Sequence, residues 1–183
     1  MKLTKKTLLM ATLAFVLVVG CKKDEPAPQE DNENLTTVRL KFTEGGVTKT
    51  FLFKDLDGIG GNAPTIDKIS LDANKTYALA VEMLDETKTP VVNVTEEIQE
   101  QKDEHLFEYV STPASLLTVS GKDKDSRGFD VGLTATVKTA VAGTGKLQVV
   151  LHHQPPVNGS PIKNGSFTVG SIDFDGTFDV EVK

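Results

Sequence analysis

Three histidines in a chain of 183 residues are few, and their placement is uneven. His152 and His153 are adjacent at the end of "KLQVVLHH", just before Pro155-Pro156, and His105 follows Asp103-Glu104. Neutral imidazole together with carboxylate is a donor set for zinc, copper or iron. Neighbouring residues on a regular strand point to opposite faces, so only one of the pair can join a given site. His153 is in phase with Val149 and Leu151 and is expected at the rim of the core, with His152 facing the other way. The candidate metal set is therefore His105, His152 or His153, and Glu104, with zinc or copper as the cation. No spacing among these residues is diagnostic of a metal. The competing reading is a hydrogen-bonded His105 anchoring a helix end, beside a polar strand terminus.

Other stretches carry weaker chemistry. "DGIGGN" lacks the G-x-G-x-x-G spacing of a phosphate loop, and Ala63-Pro64 follows where a helix would have to open. Asp55 and Asp57 with Gly58, and Asp123 and Asp125 with Gly128, look like halves of a calcium loop. Both stop after two acids, where such a loop needs further oxygens and a late bidentate Glu; acidic turns are the plainer reading. No G-x-S-x-G elbow is present. No set of residues predicts catalysis, and the chain is read as non-enzymatic.

The lone cysteine poses a different question. Lys2, Lys5 and Lys6 precede an uncharged run from Leu8 to Val19, and Gly20 and Cys21 follow. A dozen helical residues reach roughly 18 Å, short of the ~30 Å bilayer core, so a secretory signal is expected rather than a span. Val18-Val19-Gly20-Cys21 resembles the lipobox of bacterial lipoproteins, which implies cleavage before Cys21 and lipidation of its thiol. Next, "KKDEPAPQEDNEN" has five acids, two prolines and no large apolar residue, a composition that cannot make a core. It would tether the rest at a reach of roughly 40 Å. Lys22-Lys23-Asp24-Glu25 resembles the export signal of Bacteroidetes-type surface lipoproteins, which implies an outer-membrane anchor facing outward, with the periplasmic face as the alternative. The expected division is 1–20 signal, 21–34 lipidated cysteine and tether, and 35–183 folded domain.

Loss of the signal would leave 17 Lys and Arg against 26 Asp and Glu, a net charge of −9. Such a surface argues against nucleic acid as a partner. With Cys21 acylated, no disulfide and no cysteine nucleophile remain.

The elements that must position these residues are mostly strands. Val38, Leu40 and Phe42 alternate, Gly45-Gly46 offers a turn, and Phe51 and Phe53 return in phase. Ile69 and Leu71 are read as one arm of a second hairpin, turning at Asp72–Lys75 into Tyr77, Leu79, Val81 and Met83. "HLFEYV" is a short strand. "SLLTVSG" is expected to pair with "FDVGLTATVKT", and "KLQVVLHH" places Leu147, Val149 and Leu151 on one side. In the last strand Ile172, Phe174, Gly176, Phe178, Val180 and Val182 keep period two. One helix is expected near 94–104, capped by Thr95, with Val94, Ile98, Gln101 and His105 on one face. Roughly nine strands with polar turns predict an all-β chain, an antiparallel, Ig-like β-sandwich.

"TTVRLKFT", "KDLDGIGGNAPTI", "LDANKTYALAVEMLDE", "VTEEIQEQKDEHLFEY" and "KLQVVLHHQP" together resemble a family of small Bacteroidetes lipoproteins labelled as the type-1 periplasmic-binding fold superfamily. That label implies two doubly wound α/β lobes; the alternation in this chain predicts an all-β architecture instead. The resemblance implies location and no particular reaction. The expected function is a surface-anchored, non-enzymatic binding module that captures metal or a metal chelate for an outer-membrane receptor. A glycan-binding accessory or an adhesion module is the alternative, and the absence of Trp disfavours the glycan platform.

Overall fold

A computed structural model of the chain describes residues 34–58 and 61–183. The expected signal, Cys21 and most of the expected tether lie outside the described residues. The first hairpin forms as its alternation dictates. β1 (Thr37–Glu44) pairs antiparallel with β2 (Val47–Lys54), with Leu40 opposite Phe51 and Val38 opposite Phe53. Gly45 (φ 57°) and Gly46 (φ 82°) supply the two left-handed positions that a tight two-residue hairpin turn requires.

Two sheets result. The larger orders β3 (Thr65–Ile66), β2, β1, β5 (Thr76–Asp85), β9 (Thr134–Thr139) and β8 (Leu117–Ser120), with β6 (Val92–Asn93) beside β5. The smaller orders β4 (Ile69–Leu71), β11 (Ser171–Val182), β10 (Gly143–His153) and β7 (His105–Thr112). Their inner faces share one core, in which Val38, Leu40, Leu79 and Met83 meet Leu147, Val149, Leu151 and Phe178. Phe53 of the larger sheet packs edge-on against Phe174 of the smaller at 5.0 Å between ring centroids. Each such buried side chain contributes about 1.5–3 kcal/mol. The protein is all-β and sandwich-like, as the alternation predicts.

Four details depart from the sequence expectation. Ile69–Leu71 does not turn back onto Tyr77; it pairs parallel with Val180–Val182 of β11 in the other sheet. The first half of β5 already has β9 along Thr76–Ala80 and β1 from Ala78 onward, so both of its edges are taken at Ala78–Ala80. The helix α1 spans only Val94–Glu100. A helix this short is not stable alone; Val94 and Ile98 hold it to the core. Thr95 does not cap it. Asn93 is the N-cap, and the Thr95 hydroxyl instead bonds the amide and carbonyl of Met83 on β5, at 2.8 and 3.2 Å.

The fourth departure is at Ile172, which is 59% exposed rather than in the core phase of Phe174. The β10–β11 register shifts between Leu151 and His152: Leu151 lies opposite Phe174, His152 opposite Ile172, and Asp173 is the extra residue. A β-bulge of this kind reverses the phase of the strand beyond it.

Candidate metal centre

The turn after α1 sets up the site. Gln101 N–H bonds the Glu97 carbonyl and Glu104 N–H bonds the Gln101 carbonyl, at 2.9 and 2.8 Å. The Gln154 amide bonds the Glu104 carbonyl at 2.6 Å. His105 is thus drawn out of the helical run to become the first residue of β7, directly opposite His153, the last of β10. Directly opposed residues in an antiparallel pair project to the same face. The two imidazoles stack with centroids 4.7 Å apart and planes within 4°. Gly170 lets the following loop close over this end. At φ +81°, a Cβ there would lie 2.0 Å from the His153 carbonyl oxygen.

The bulge brings in the third group. Asp173 Oδ2 is 3.8 Å from His105 Nε2 and 3.7 Å from His153 Nδ1. One donor atom from each of His105, His153 and Asp173 lies within 4.8 Å of the others. The Asp173 and His153 side chains are 7% and 18% exposed. These separations exceed an ordinary hydrogen bond. The two distances to Asp173 approach the roughly 3.4 Å edge of a tetrahedral shell with 2.0–2.1 Å bonds, but an imidazole ligates in its own plane, so the stacked rings would have to turn to share one ion.

The protonation of His105 follows from its partners. Its Nδ1 lies 3.1 Å from the Gln101 carbonyl oxygen. A carbonyl can only accept, so Nδ1 carries the proton and Nε2 presents its lone pair. Nε2 is buried and makes no hydrogen bond among the described residues. Burial is the main reason its pKa falls to about 4; the His153 and Lys163 charges add to this and the Gln101 bond opposes it. The ring is therefore neutral near pH 7, the form that ligates metals.

This depression has a consequence for the metal-free protein. The folded state refuses a proton that an unfolded histidine accepts near ~6.5, so stability should be full above that pH and fall as pH drops toward 4. The loss should be on the order of 3 kcal/mol. Urea titrations at pH 7.5 and 4.5, beside His105→Asn, should show a smaller pH dependence in the variant. Equal pH dependence in both would contradict the burial of a neutral ring.

Glu104 Oε2 stands 3.7 Å from His153 Nε2, on the ring nitrogen that does not face Asp173. His152 is not part of the cluster. It faces the other side of the sheet, with Nε2 3.1 Å from Glu108 Oε2 and its ring 5.3 Å from that of Phe167. The sequence reading missed Asp173. The two acidic stretches serve as loop staples. Asp55 accepts the Gly58 amide at 2.8 Å and Asp57 the Asn62 amide at 2.9 Å. Asp123 accepts the Gly132 and Thr134 amides, and Asp125 those of Arg127 and Phe129.

Asp125 also anchors a buried polar knot beneath the site. Its Oδ2 lies 3.1 Å from Lys163 Nζ, with both side chains fully buried. Lys163 Nζ donates to the Lys102 carbonyl at 2.8 Å, and Arg127 donates to the Asp103 carbonyl at 2.7 Å. The turn that delivers Glu104 and His105 is thereby tied to two loops.

No family model matches this chain, and no curated protein or solved structure matches it.

Proposed function

We propose that this chain is a non-enzymatic binding module for a divalent transition metal, zinc or copper, held by His105, His153 and Asp173. The observation that supports this reading most is His105 Nε2, buried, unpartnered by any hydrogen bond among the described residues, and directed at Asp173. A buried lone pair left unsatisfied costs about 1–3 kcal/mol; a cation at this position would remove that cost. Its other nitrogen is already fixed by a backbone carbonyl, the usual arrangement for a metal-bound imidazole. Glu104 Oε2 faces the opposite nitrogen of His153 at 3.7 Å. The N-terminal segment adds the location. Lipidated at Cys21, the module would stand off the outer membrane and pass its cargo, metal or metal chelate, to an outer-membrane receptor.

Calorimetric titration with zinc should give one site per chain, and His152→Asn should bind within about threefold of the unaltered protein, because His152 lies outside the cluster. Absence of saturable binding, or loss of binding in His152→Asn, would overturn the assignment. The anchor is tested separately: Cys21→Ser should move the protein out of the membrane fraction. A serine variant that stays quantitatively in the membrane fraction would contradict lipid anchoring.

A further inference from the structure

A cleft that shares no residue with the metal centre lies between α1 and the larger sheet. β9 runs along β5 only as far as Ala80, and β6 takes the same edge at Leu84 and Asp85. Past Ala80 the Val81 amide still reaches the Leu133 carbonyl, at 2.9 Å. Across the gap, the Thr95 hydroxyl holds α1 to Met83 of β5. The notch left between the strand ends and the helix measures about 450 Å³, within the range of small-molecule sites. Its sheet side presents Ala80, Val81 and Leu133, and its helix side carries Glu96, Gln99 and Glu100.

The charge in this cleft is unbalanced. Elsewhere on the same sheet the acids are matched: Glu82 pairs with Arg39 and Lys41, and Glu86 with Lys54. Glu96 accepts from the Asn93 side-chain amide at 3.0 Å, and among the described residues no ion pair reaches Glu96 or Glu100. No lysine or arginine lines the cleft. The last turn of α1 has no basic residue to offset its carbonyl end. Like charges one helical turn apart repel, and a cation between them would relieve that repulsion. The occupant must also cover the apolar sheet side, which a hydrated metal ion does not. We infer that this cleft is a second binding site, for a small aliphatic amine whose ammonium sits between Glu96 and Glu100 and whose hydrocarbon lies on Ala80, Val81 and Leu133. The inference is independent of the metal reading.

A matched series of probes tests it without metal. Amide spectra of the nitrogen-15-labelled full chain are followed while pentylamine, pentanol, pentanoate or methylammonium is added. Pentylamine should give saturable shifts at Ala80, Thr95 and Leu133. Pentanol, pentanoate and methylammonium, each lacking the charge or the hydrocarbon, should bind at least several-fold more weakly. Glu96→Gln with Glu100→Gln should weaken pentylamine about tenfold, as for the loss of two solvated ion pairs. Both residues lie on the exposed side of α1, so the double variant should fold as before. Ala80→Leu, which fills the cleft and keeps both acids, should also weaken it. Salt at about 1 M should do the same, since screening then acts within about 3 Å. Pentanol binding as well as pentylamine would show an apolar groove that does not select charge. Methylammonium binding as well would show acids acting without the floor. Either result, unchanged pentylamine affinity in the double variant, or no saturable shift at these amides would overturn the inference.

Discussion

Replacing Lys163 with methionine is expected to destabilise the protein by about 3–5 kcal/mol, the range for removing one partner of a buried ion pair. Methionine fills the space of the lysine stem but supplies no charge and no donor. Asp125 would keep its two amide bonds on Oδ1, while Oδ2 would retain only Arg127, at 3.7 Å. Burial pushes the Asp125 carboxyl up, but the Lys163 ammonium and the Phe129 and Arg127 amides more than offset it and hold it below the usual range. The variant gives up part of that compensation. At roughly 2–4 °C per kcal/mol for a domain of this size, the melting temperature should fall by about 6–20 °C. The loss should reach the proposed metal site too, because Lys163 holds the Lys102 carbonyl at the base of the turn that delivers His105. Asp125→Asn added to Lys163→Met should recover part of the stability by removing the stranded charge. Urea denaturation of the three proteins checks this. A loss below about 1 kcal/mol in the single variant would mean that the pair is hydrated rather than buried.

Asp173→Asn is expected to weaken zinc binding by about a hundredfold or more, beyond the 10–100-fold typical of an outer partner. The amide has nearly the shape of the carboxylate but loses its charge and one oxygen, and the Asp173 carboxylate lies within 4 Å of both His105 Nε2 and His153 Nδ1. The effect can be read as stability. At free zinc one hundred times the dissociation constant, the unaltered protein should gain about 2.7 kcal/mol. At the same zinc concentration the variant should gain under about 0.5 kcal/mol. Unfolding midpoints with and without zinc, measured for both proteins, separate a binding defect from a folding defect. An equal zinc-induced gain in the two proteins would remove Asp173 from the site.

How legible these features were in the sequence depends on regularity. Val38, Leu40 and Phe42, or Leu147, Val149 and Leu151, alternate without interruption, so their faces follow from period two alone. The same regularity places His153 on the core side and His152 opposite. The approach of His105 was harder to read. Its helix formers suggest a longer helix, but pairing with β10 claims residue 105 and ends the helix at Glu100. Asp173 was not legible. Strict alternation puts it outside and Ile172 inside, and only the bulge exchanges them. The parallel pairing of β4 was hidden because two alternating residues do not specify a partner. Lys163 was hidden as well: in a turn-rich loop nothing marks a lysine for burial, and its partner Asp125 lies 38 positions away.

The most direct test of the metal centre is crystallographic. Crystals grown with zinc, measured on both sides of the zinc absorption edge, should show one anomalous peak per chain. It should lie about 2.0–2.2 Å from His105 Nε2, His153 Nδ1 and Asp173 Oδ2. Glu104 should be on the far nitrogen of His153. No peak there, or a peak held by His152 and Glu108, would contradict the account.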